Sequence, residues 1–120
     1  MYLDFTICSV EKNLSFLKTL FPTSKILLKG EILKSGKKIP YNEFSFIFQQ
    51  GEFYYINDML SSFKNYISKE MDSLCEYIKL NQLKSSVSIV MDKEYPAISI
   101  SNDNLLFLIE LNASIDFDFI

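Results

Sequence analysis

No histidine, arginine or tryptophan occurs in the chain, and all twelve basic residues are lysine. Without histidine the chain lacks the side chain that most often titrates near neutrality and ligates transition metals. Ser-His-Asp and Cys-His catalysis and His-based zinc sites are therefore excluded together. Without arginine there is no bidentate fork for phosphate, carboxylate or guanine. With a net charge of −3 and a pI near 4.9, the electrostatic footprint of a nucleic-acid binder is missing as well. The two cysteines, Cys8 and Cys75, form no CxxC or CxxCH pattern, so no metal knuckle or thioredoxin-like motif is present. Their apolar neighbours predict two buried thiols. No apolar run reaches about eighteen residues, and MYLDFTICSVEKN offers neither a basic n-region nor an uninterrupted apolar h-region. The expectation is a cytoplasmic protein with no membrane and no nucleic-acid partner.

What is present is an ordinary globular composition: 120 residues, 48% hydrophobic and 22% charged. One domain spanning residues 1–120 is expected, and folding at this size hides roughly two-thirds of the extended chain's surface, enough for one core. Residues 2–8 alternate, with Leu3, Phe5 and Ile7 on one face and Tyr2, Asp4, Thr6 and Cys8 on the other, which predicts a half-buried strand. Ser9 is placed to cap a helix carrying Val10, Leu14, Leu17, Leu20 and Phe21, which Pro22 stops. A second strand is expected over residues 24–34 and a third over 41–49 with Phe44, Phe46 and Phe48 on one face, the turn between them made by Gly36 and Pro40.

Met59, Leu60, Phe63, Tyr66, Ile67, Met71, Leu74, Cys75 and Ile78 then mark one face of a long helix, with a break placed near Ser68. Residues 85–91 and 97–101 read as a hairpin across the Asp92-Lys93-Glu94 tip. Ser101 or Asn102 caps a third helix to Leu111, Asn112 suits the left-handed conformation that ends it, and a last strand over 113–120 buries Ile115, Phe117 and Phe119. The order β-α-β-β-α-β-β-α-β predicts an α+β fold, a ferredoxin-like mixed sheet with the helices on one face.

Residues 86–120 carry a further signal. Tyr95-Pro96 after an acidic tip, the short Ser99-Ile100-Ser101 segment, and the closing Leu111-Asn112-Ala113-Ser114-Ile115-Asp116-Phe117-Asp118 run resemble the C-terminal signature of the domain of unknown function 4279 family. Phe21-Pro22-Thr23 and Lys29-Gly30-Glu31 fit it less closely. Where members commonly carry a basic residue, often arginine, before that glycine and a tryptophan in the strand after the loop, this chain has Lys29 and Phe44 or Phe46. The resemblance implies a small stand-alone bacterial domain without recognised catalytic chemistry, of a kind that often serves as an immunity protein neutralising a toxin.

The candidate partner-binding residues are acidic: Asp4 on the first strand, Asp116 and Asp118 on the last, and Asp92 and Glu94 with Tyr95 at the hairpin tip. If the first and last strands are neighbours, three carboxylates share a patch that can grip the cations of a basic protein partner. The same alternation also serves simply to keep a sheet face soluble, and a divalent-metal role lacks an ordered ligand loop. Phe53, Tyr54 and Tyr55 either staple the long helix to the sheet or form interface. The Lys34, Lys37 and Lys38 loop reads as a solvated turn. No catalytic residue, metal or cofactor is expected. The expected function is non-catalytic protein binding, an immunity-type protein blocking a toxin. The alternatives are a structural or regulatory interaction module, monomeric or homodimeric, and a small-ligand binder.

Overall fold

The fold was obtained as a computed structural model, which describes residues 1–92 and 98–119. Five strands, β1 (Tyr2–Ser9), β2 (Lys25–Leu27), β3 (Asn42–Phe48), β4 (Ser85–Met91) and β5 (Ala113–Phe119), form one mixed sheet in the order β2-β3-β1-β4-β5. The helices are α1 (Ser15–Leu20), α2 (Ile56–Tyr66), α3 (Met71–Leu80) and α4 (Asn102–Glu110). All pairings are antiparallel except β4–β5, which is parallel and joined across α4.

The period-two pattern sets the register. Phe46, Phe5, Val87 and Ile115 form one cross-sheet row, and Phe48, Leu3, Ile89 and Phe117 the next. This face carries the core, where Leu17, Ile56, Met59, Phe63, Leu74, Ile78 and Phe107 from the four helices pack on Leu3, Phe5 and Ile7. Phe63 lies at the centre of an aromatic cluster, with ring centroids 5.6 to 6.0 Å from those of Phe5, Phe46, Phe48 and Phe107.

The coarse α+β expectation holds, but the element order does not. Among the described residues the order is β-α-β-β-α-α-β-α-β, with four helices in place of three and five strands in place of six. Residues 93–97 of the expected hairpin lie outside the described residues, and 98–101 form no strand on β4, because both of its edges are occupied, by β1 and β5. Residues 98–101 instead lead into α4, where the Ser101 hydroxyl accepts from the Asn104 amide at 3.3 Å as the expected N-cap.

The first helix starts later than the periodicity indicates. The Ser9 hydroxyl accepts from the Lys12 amide at 2.9 Å, and the Lys12 and Asn13 carbonyls accept from Asn42 and Tyr77, both at 2.8 Å. Those carbonyls are thereby withdrawn from helical bonding, and Val10 is exposed. Strand β2 is short because the Lys29 amide donates to the Asn42 side chain and Gly30 turns at φ 92°. Beyond it, Ile32 bridges Lys38, with Gly36 at φ 84° in the intervening turn. The break in the long helix falls at 67–70, as expected. Asn112 adopts φ 50°, the left-handed end of α4, and its side chain donates to the Leu83 carbonyl at 2.8 Å.

Candidate functional site

Among the described residues, the side of the sheet opposite the core has no helix on it. Alternation places Lys25, Leu27, Glu43, Ser45 and Ile47 there, with Tyr2, Asp4, Thr6 and Cys8 from β1, Ser86, Ser88 and Val90 from β4, and Ser114, Asp116 and Asp118 from β5. Of these described side chains only Val90 is buried. A row of small hydroxyl residues, Ser45, Thr6, Ser86 and Ser114, crosses four strands, and the next row reads Ile47, Asp4, Ser88, Asp116. The face is therefore polar at its centre and acidic toward β5.

The predicted binding residues meet mixed fates. Asp4 is half-buried and accepts from the Thr6 hydroxyl at 3.2 Å, while Asp116 and Asp118 are exposed on the edge strand. All three share the face, but β1 and β5 are not neighbours, because β4 lies between them. Asp4 and Asp116 stand in one row on either side of Ser88, roughly 10 Å apart from two strand spacings, too far to share one ion. Among the described residues no group of three or more His, Cys, Asp or Glu converges on a metal-sized site. Asp92 is exposed just past β4, beside a hollow of about 400 Å³ that it lines with Met1, Gln49, Glu52, Phe53 and Tyr54. Glu94 and Tyr95 lie outside the described residues. Phe53 packs on the core, whereas Tyr54 and Tyr55 are exposed.

Glu43 was missed as a member of this face, although the alternation of Phe44, Phe46 and Phe48 already points residue 43 the other way. It stands opposite Cys8, whose thiol donates to the Glu43 carboxylate at 3.8 Å. The expectation of two buried thiols fails: Cys8 is exposed and Cys75 half-buried. Partial desolvation, followed by the Glu43 charge and hydrogen bond, pushes the Cys8 thiol up to about 11, so it is protonated at neutral pH.

On the helical side a groove of about 930 Å³ runs between α3 and the end of α4. Cys75, Ile78, Leu83 and Ile109 line it, with Asp72 and Glu110 at its rim. Burial, Glu110 and Asp72 all raise the Cys75 thiol above its ordinary range. Among the described residues no helix is long and apolar enough to cross a membrane. Comparison with family models, curated proteins and solved structures gave no match.

Proposed function

We propose that the chain is a non-catalytic, cytoplasmic protein-binding domain, an immunity-type protein that blocks a toxin by covering a basic surface of it. The observation that supports this reading is where the charge sits. Among the described strand residues the helix-free face carries Asp4, Glu43, Asp116 and Asp118 against Lys25, a net charge of −3 that equals that of the whole chain. The remaining eleven lysines and eleven carboxylates balance. A net negative field on a polar face steers a basic partner into contact and orients it. With Cys8 held protonated, the same face offers no ready nucleophile at neutral pH. The resemblance of residues 86–120 to the domain of unknown function 4279 family belongs to this proposal, as an expectation of a small stand-alone domain.

The test is affinity capture from the native cells with the tagged chain and with an Asp116→Lys, Asp118→Lys variant. Recovery of one stoichiometric protein that kills when expressed alone, and its loss with the variant, supports the reading. A partner held equally by both chains overturns the acidic-face assignment.

A second reading, a small-ligand binder, has the α3–α4 groove as its specific support, since its volume lies in the range of small-molecule sites. A Cys75→Trp variant that lowers the affinity for a ligand retained by the wild-type chain, while leaving the basic partner bound, favours that reading.

A further inference from the structure

Over Ala113 to Phe117 the phase of the outer edge of β5 can be read from one bond. The Asn112 carbonyl accepts from the Ser85 amide at 3.1 Å. By alternation Ser114, Asp116 and Asp118 turn their backbone groups toward β4, and Ala113, Ile115 and Phe117 turn theirs outward. Among the described residues no strand pairs with that outer edge.

The core is also unfinished there. Along the two central rows Phe5, Leu3, Val87 and Ile89 are 0% exposed, whereas Ile115 and Phe117 at the ends of the same rows are only half-buried. On the opposite face of the same strand Asp116 and Asp118 are exposed. The edge thus offers backbone hydrogen bonds, one acidic side and one apolar side, in register.

Pairing of the whole strand with a second copy of the chain is disfavoured at this edge. The two-fold antiparallel register that pairs all of 113–119 sets Asp116 against its own counterpart, and like charges directly opposed are destabilising. The carboxylates guard the strand against self-pairing and favour an occupant of opposite charge.

We propose that β5 is a docking edge for an extended protein segment in which lysine or arginine alternates with apolar residues. The segment adds as a sixth strand, its cations on the Asp116 and Asp118 side and its apolar side chains continuing the rows of Ile115 and Phe117. This rests on the reading of a basic protein partner and specifies how that partner is held.

The probe is a synthetic peptide, Lys-Val-Lys-Val-Lys-Val-Lys, titrated into the full chain by calorimetry and by amide hydrogen exchange. The expected result is binding that slows exchange at the amides of Ile115 and Phe117. Methylating the peptide nitrogens on the edge facing β5, which keeps every charge, should weaken binding by about tenfold or more, as lost strand hydrogen bonds require. The Asp116→Lys, Asp118→Lys variant should weaken it similarly. Binding unchanged within about twofold on methylation, with the charge variant still defective, overturns strand addition but leaves the basic-partner reading standing. Binding indifferent to the charge variant overturns both, and no binding at millimolar peptide overturns the docking edge.

Discussion

Replacing Asn104 with aspartate removes two hydrogens and adds a negative charge at a site only 2% exposed. The Asn104 side-chain nitrogen donates to the Asn57 carbonyl at 3.1 Å, the Asn57 side-chain oxygen at 2.8 Å and the Ser61 hydroxyl at 3.0 Å, fastening the start of α4 to the start of α2. The Asn57 side-chain oxygen also accepts from the Ser101 amide at 2.8 Å, so the node extends into the cap of α4. Asn104→Ala forfeits roughly two hydrogen bonds at about 1 kcal/mol each together with some packing, about 2–3 kcal/mol. Asn104→Asp is nearly isosteric yet worse, about 3–5 kcal/mol, because a buried carboxylate would face oxygen acceptors. With an unfolding entropy of about 2.1 cal/mol/K per residue, the 120-residue chain should lose about 8–12 °C in Tm for alanine and about 12–20 °C for aspartate. Burial and the neighbouring oxygens raise the folded pKa of the new carboxyl above its unfolded value. The stability it contributes is complete below the unfolded value, near 4, and is lost as pH rises through the folded one. Thermal and urea melts at pH 4 and pH 7 should therefore show the aspartate deficit narrowing in acid. An aspartate variant as stable as the alanine variant at pH 7, or a gap independent of pH, would refute the donor assignment.

Alkylation of Cys8 by iodoacetamide at pH 8 should run about tenfold slower than that of an ordinary thiol: a pKa near 11 cuts the thiolate fraction about a hundredfold and a more basic thiolate recovers about tenfold. Glu43→Gln should speed it, and an unchanged rate in that variant would remove Glu43 as a cause. Because that thiol's folded pKa is raised, its contribution to stability is whole below its ordinary value of 9.0 and fades as pH climbs toward 11. Phe63→Ala empties the centre of the aromatic cluster and should cost about 3–5 kcal/mol in urea unfolding; a loss under about 1 kcal/mol would contradict the packing. Gly36→Ala meets no atom within 4 Å but forces an L residue to φ 84°, so it should cost about 1–2 kcal/mol, with Gly36→Asn milder; equal stability of all three would contradict that turn.

Local pattern was legible and non-local pairing was not. The alternation of β1 and β3, the Ser101 cap, the left-handed Asn112 and the break near Ser68 each depend on a few neighbouring residues, and each appears in the fold. Residues 97–101 alternate as a strand does, but only the pairing of β4 with both β1 and β5 decides that no edge of β4 remains for 98–101. The same pairing separates Asp4 from Asp116, so the face was foreseen and the carboxylate spacing was not. Asn104 reads in sequence as a solvated helix residue, and only the approach of α2 makes it a buried node. Phe119, expected in the core, is 49% exposed because β5 lies at the sheet's margin, where the helices no longer cover it.

The central position of β1 has a consequence for how the chain is made. Strand β1 is the earliest strand in the sequence, yet one of its partners is among the later ones: Val90 pairs with Tyr2, 88 residues behind it. At roughly 5–20 residues per second a ribosome takes about 4–18 s to cover that distance. Once Leu3, Phe5 and Ile7 have cleared the tunnel, they wait out the rest of that interval with the β4 side of their strand unpaired. Such long-range closure is intrinsically slow. Nascent chains stalled before residue 85 should therefore recruit hydrophobic-binding chaperones, and chains released past Met91 should shed them.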